Sequence, residues 1–155
     1  MKSRHDMATA AHLLLRDEHG RILFLRRYNT GYRDGYWSIP AGHVESGESV
    51  VEACVREARE EIGVVLELDD LEFVLVQHKH DEDHEERIDF FFAAKLPVGQ
   101  RPLIGEPHRC DGLSWAVPEA YPSPLVTYVA AAMPTALDPT VCFATFGFAD
   151  GRPVS

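Results

Sequence analysis

One stretch, Trp37 to Val64 (WSIPAGHVESGESVVEACVREAREEIGV), constrains the fold of this 155-residue chain more than any other. It reads as a short strand, a glycine-bearing loop, one helix and a stop. Ser49 suits an N-cap, and Glu52 three residues on completes a capping box that satisfies two orphan amides. Gly63 follows Ile62, the last apolar helical residue, and is free to take the left-handed conformation that ends a helix. Val51, Cys54, Val55, Ala58 and Ile62 recur at helical spacing, so one stripe of this helix should face a core.

The polar side of the helix is built against its own stability. At 3.6 residues per turn, Glu57, Glu60 and Glu61 fall within a sector of about 100°. Like charges three and four apart oppose helix formation, and carboxylates near a helix C-terminus oppose the macrodipole. A solvated ion-pair face with Arg56 and Arg59 is the plain explanation. A hard divalent cation is the functional one, because Mg²⁺ or Mn²⁺ takes oxygen ligands from a few carboxylates and substrate phosphates.

The wider spacing favours the cation. Gly42, then Glu48, then Arg56-Glu57-Ala58-Arg59-Glu60-Glu61-Ile62-Gly63-Val64 resembles the Nudix box, here residues 42–64. Ala58 stands where a larger aliphatic residue is more usual, and Ala41 replaces the first of two common glycines. The resemblance implies a Nudix-type α/β/α sandwich with a mixed β-sheet between helices, over a single domain spanning residues 1–155. It also implies that Glu57, Glu60 and Glu61, with a backbone carbonyl near Ala41, hold the metal. Arg56 and Glu48 resemble the pair that orients the box.

Composition bounds the partners. A net charge of −10 repels an extended phosphate backbone, so nucleic acid is excluded and a small phosphate compound, carried in with metal ions, is favoured. Cys54, Cys110 and Cys142 are widely spaced with no CxxC, the pattern of reduced thiols in a cytoplasmic protein. No signal-like segment or membrane-spanning run is present in the sequence. The expected assembly is a monomer or homodimer.

Along the rest of the chain, Met7 to Leu15 and Ile22 to Leu25 flank turn residues and read as a β-hairpin. Tyr28 to Gly35 is a turn-rich loop. Glu72 to His80 and Arg87 to Leu96 read as strands about a solvated charged loop, Asp81 to Glu86. Arg109 to Val117 reads as a strand with Trp115 as a buried anchor. Pro124 to Ala136 reads as a helix, packed across the sheet from the box helix. Thr140 to Phe148 reads as a last strand. The alternation fits a layered α/β domain.

The family resemblance implies hydrolysis of a phosphoanhydride in a nucleoside diphosphate-linked compound by water attack on phosphorus. Such chemistry asks mainly for positioning and charge stabilisation, with divalent ions neutralising the diphosphate and activating water. The general base is Glu60, Glu61, or a carboxylate from Glu82, Glu85, Glu86 or Glu106. Arg27 sits where several family members keep a phosphate-binding arginine; a strand-edge cation is the alternative. Tyr28 and Tyr32 either stack on a base or cover the core. His78 and His80 share a strand face without a third metal ligand near in sequence, so His78 is expected to contact substrate instead.

Subgroup markers thin out beyond the box. No proline lies between Pro40 and Pro97 and no tyrosine between Tyr36 and Tyr121, which disfavours ADP-ribose and dinucleoside polyphosphate hydrolases. The compact chain leans towards a MutT-like nucleoside triphosphate hydrolase, with a nucleotide sugar or ADP-ribose as alternative substrates. Two rivals differ in kind. A nucleotide-sensing module without turnover is opposed by the intact glutamates. An isoprenoid diphosphate isomerase needs a catalytic cysteine, and Cys54 lies on the apolar stripe.

Overall fold

The computed structural model describes residues 3–81 and 85–148 and the backbone of 153–154. Its strands are β1 (Ala8–Arg16), β2 (Ile22–Arg27), β3 (Trp37–Ser38), β4 (Ala41–His43), β5 (Glu72–His80), β6 (Glu86–Lys95), β7 (Cys110–Ala116), β8 (Phe143–Phe146) and β9 (Pro153–Val154). The helices are α1 (Val50–Ile62) and α2 (Thr127–Ala136), with single 3₁₀ turns at Leu68–Asp70 and Pro118–Ala120.

The sheet is mixed and runs β3-β2-β1-β6-β5-β8-β9, with β4 also on β1 and β7 also on β2. The expected β1–β2 hairpin closes at one register pair, Arg16↔Ile22, and the strands then part. β1 runs parallel to β6 along its whole length, while β2 pairs with β7. Into the resulting fork comes β4, placing Ala41 opposite His12 and Gly42 opposite Ala11. Two further bonds pin the fork: the Leu13 amide to the Pro40 carbonyl and the Val44 amide to the Thr9 carbonyl, each 2.8 Å.

Side chains alternate across this sheet. Leu14, Phe24, Phe91 and Leu75 join Val129, Ala132 and Met133 of α2 in one core. Leu13, Leu15, Leu23 and Phe92 join Ala53, Cys54, Ala58 and Ile62 of α1 in the other. The helices therefore cover opposite faces, and the molecule is the expected α/β/α sandwich. On α1, Ala53 is fully buried whereas Val51 and Val55 are half-buried, so small residues bring the helix close to β1.

Both ends of α1 are closed. Ser49 Oγ accepts from the Glu52 amide and Glu52 accepts from the Ser49 amide, and Gly63 turns left-handed at φ 66°. Beyond that cap, the amides of Leu103 and Gly105 donate to the carbonyls of Ile62 and Glu61, both at 2.9 Å. A Cβ on Gly105 would lie 2.1 Å from the Glu60 carbonyl oxygen, so glycine lets this loop lie on the helix end. The segment after Pro97 thus satisfies carbonyls beneath the acidic turn.

Three expectations need correction. Trp115 is half-buried rather than a buried anchor. Asp81 is buried beside Lys79, not solvated; Glu82 to His84 of the same loop lie outside the described residues. The late helix starts at Thr127, with Val126 at its N-cap and Pro134 inside it.

Candidate active site

Arg56 ties the box together. Its Nε and Nη2 grip the two oxygens of Glu48 at 2.7 and 3.0 Å. Its Nη1 donates to Glu57 at 2.6 Å and Glu60 at 3.2 Å, and Nη2 also reaches the His43 carbonyl at 3.0 Å. Such two-pronged contacts fix direction as well as distance. The bond from Arg56 holds the Glu48 carboxyl below its ordinary range, and the same bond raises the guanidinium further above its own.

Glu57 is the carboxylate packed on the loop: a Cβ at Gly42 would lie 2.0 Å from its Cδ. Only glycine leaves that space. Burial pushes the Glu57 carboxyl up in spite of Arg56. Glu61 is raised well above its ordinary range, first by burial and then by Glu57, with the Ala41 amide opposing. That amide donates to Glu61 Oε2 at 3.0 Å. Glu60 is half-exposed.

These groups share the wall of a cavity of about 520 Å³ with Ala41, Arg27, Tyr32, Glu106 and Arg109. Arg27 Nε donates to the Tyr32 carbonyl at 2.7 Å and Nη2 to Thr30 Oγ1 at 3.0 Å, and its guanidinium lies 5.3 Å from the Tyr32 ring. Asp34 holds this loop by accepting from the Thr30 amide and hydroxyl and from the Gly31 amide. Tyr28 is exposed.

The donor set suits a hard divalent cation, since Glu57 and Glu61 are half-buried carboxylates that nearby cations do not fully offset. Among the described residues no three His, Cys, Asp or Glu side chains already converge as ligands. Glu57 is turned to Arg56 and Glu61 to the Ala41 amide.

His78 does not join them. Its Nε2 meets Glu86 Oε1 at 2.8 Å and its ring packs against Phe148 at 4.5 Å, and it is not on the cavity wall. The pleat turns Lys79 inward in its place. Sequence reasoning passed over Lys79, Arg87, His12 and Tyr128, which all line the cavity. The signal available was charge at every second position, Lys79 and Asp81 at the end of β5, Arg87 and Asp89 at the start of β6.

With this fold and site in view, comparison with known proteins gives the class. The chain matches the NUDIX domain family over residues 6–135. It belongs to the Nudix hydrolase family. Among solved structures it resembles a MutT NUDIX hydrolase from Burkholderia pseudomallei, with TM-score 0.75 and 26% identity over 84% of this chain and 98% of that one. Among curated proteins it is 40% identical over 70 residues to the uncharacterized Nudix hydrolase YvcI of Bacillus subtilis, covering 44% of each chain. It is 41% identical over 49 residues to an ADP-ribose pyrophosphatase of Methanocaldococcus jannaschii, covering 32% of this chain and 28% of that one. The match thus spans less than half the length of these curated relatives. No helix among the described residues is long and apolar enough to cross a membrane.

Proposed function

We propose that the chain is a divalent-metal-dependent pyrophosphohydrolase that cuts a phosphoanhydride bond of a nucleoside diphosphate-linked compound. A nucleoside triphosphate, plain or modified, is the proposed substrate. The supporting observation is the joint presence of Glu57, Glu60, Glu61 and Arg27 on one cavity wall, with two of the carboxylates driven towards protonation by burial.

Glu57, Glu60, Glu61 and the Ala41 backbone are the proposed holders of Mg²⁺, or of Mn²⁺ in its place. Such an ion supplies positive charge to the diphosphate oxygens when bound. Arg27, fixed by Tyr32 and Thr30, offers a guanidinium to a phosphate. Arg56 and Glu48 act as positioning residues, through Glu57 and Glu60. The general base is sought among Glu60, Glu61, Glu85 and Glu106, which line the cavity; Glu86 is engaged with His78 and His5. A nucleotide-sensing role without turnover is the second reading, and the complete carboxylate set speaks against it.

The test is release of nucleoside monophosphate, with pyrophosphate or a sugar phosphate as the second product, from a panel of nucleoside triphosphates, nucleotide sugars and ADP-ribose with Mg²⁺, Mn²⁺ or chelator. Turnover of at least one triphosphate, restored to the chelated protein by Mg²⁺ or Mn²⁺, is expected. Full activity in excess chelator, or binding without turnover across the panel, would overturn the proposal.

A further inference from the structure

The cavity has a second group of walls that phosphate hydrolysis leaves unused. Lys79 and Arg87 are register partners on β5 and β6, both buried, and lie 4.8 and 4.9 Å from the Tyr128 ring. Like charges directly opposite across strands are unfavourable, so an anionic ligand suggests itself. The chain, however, already provides the anions. Lys79 Nζ meets Asp81 at 2.7 Å, Arg87 Nη2 donates to Asp89 at 3.2 Å, and Glu85 lies 3.8 Å from Lys79 and 3.3 Å from Arg87. Three carboxylates face two cations, and another phosphate has no charge to neutralise there.

Hydrogen bonds are what this part of the cavity lacks. His12 is 1% exposed, lies on the cavity wall, and is stacked on Phe91 at 4.6 Å and 14°. Its Nε2 is 3.2 Å from Asp89 Oδ1, yet neither ring nitrogen is aligned for a hydrogen bond among the described residues. The hydroxyl of Tyr32, on the same cavity, is buried without a partner too. Leaving such a group buried and unpaired is unfavourable. Burial lowers the His12 pKa against the pull of Asp89, so the ring is neutral and offers one donor and one acceptor.

We infer that His12, with Tyr32, forms a recognition pocket for the uncharged hydrogen-bonding part of the substrate, a base edge or sugar hydroxyls, and sets which nucleotide is accepted. The inference rests on the proposed hydrolase reading for the phosphate half of the same ligand.

The test compares the parent with His12→Phe, which keeps a flat ring on Phe91 and removes both nitrogens. Tyr32→Phe serves as a second variant that keeps the ring packed against the core and removes only the hydroxyl. Each is given the ribo- and deoxyribonucleoside triphosphates and inorganic tripolyphosphate with Mg²⁺, and both melting-temperature rise and hydrolysis (release of phosphate or pyrophosphate) are read. In the parent, at least one nucleotide should bind more tightly than tripolyphosphate, and His12→Phe should erase roughly tenfold of that excess. A loss that depends on the base places the base in the pocket; a loss that depends on the 2′-hydroxyl places the sugar there. An excess unchanged in both variants, or no excess in the parent, would overturn the inference. Binding that follows the predicted pattern without any hydrolysis would instead strike the hydrolase reading and leave the pocket standing.

Discussion

The carboxylate of Glu57 occupies the space where a side chain on Gly42 would begin, 2.0 Å from an ideal Cβ. The glycine is there for room, and the room belongs to a proposed metal ligand. Gly42→Ala should displace the flexible end of Glu57 with little change in melting temperature. Turnover should fall, by roughly 10²-fold if the carboxylate moves about 1 Å. Steady-state kinetics with a Mg²⁺ titration and a melting curve check this; normal turnover at normal Mg²⁺ would refute it.

Arg56 spends its guanidinium on Glu48, Glu57, Glu60 and the His43 carbonyl, which a lysine cannot reproduce. Arg56→Lys should lower kcat more than it raises KM, and cost about 1–3 kcal/mol of stability through hydrogen bonds lost to charged groups. A denaturant titration and initial rates measure both. Wild-type values in the lysine variant would reduce Arg56 to a surface charge.

Burial raises the folded-state pKa of Glu61 above its unfolded value, so its linkage has the sign opposite to a salt-bridged carboxylate. Its contribution to stability is fully present below the unfolded pKa and is lost as pH rises through the folded pKa. Glu48 is lowered and works the other way, held down by the bond from Arg56. The difference between parent and Glu61→Gln isolates the term. In chelator, the variant should gain melting temperature relative to the parent as pH rises from 4 towards 8 (about the span around an ordinary carboxylate pKa). A difference independent of pH would show that Glu61 does not titrate as described.

The box helix was legible because its determinants are local: Ser49 and Glu52 cap it, apolar residues repeat with its period, and Gly63 ends it. The order of strands in the sheet was not. The parting of β1 from β2 depends on β6 and β7, far away in sequence, and hydropathy does not announce a fork. The same limit explains His78. In β5 the inward face runs from the apolar Leu75 to the polar Gln77 and the charged Lys79, all buried, while His78 and His80 are half-exposed, the reverse of ordinary patterning at that end. A pocket that pairs its own charges internally hides from a reading that seeks apolar faces. Glu57, Glu60 and Glu61 were proposed from the box spacing, and Ala41 and Arg27 from the family resemblance, and all five line one cavity.

Cys54 is buried in the α1 core, and burial pushes its thiol up to about 12, far from nucleophilic. Cys142 is exposed. Native protein at pH 8 should therefore alkylate quickly at Cys142 alone, and Cys54→Ala should keep its catalytic rate. Loss of activity in Cys54→Ala at unchanged fold would revive a thiol-based mechanism.

The most direct test of the account is Glu61→Gln measured with and without Mg²⁺. The change keeps shape and removes one half-buried charge that repels Glu57 and Glu106. Without metal the variant should melt at or above the parent's temperature. With Mg²⁺ its turnover should fall by orders of magnitude, and the Mg²⁺-induced rise in melting temperature should shrink with the lost affinity. Near-normal turnover together with an undiminished Mg²⁺ response would contradict the assignment of this carboxylate to the metal site.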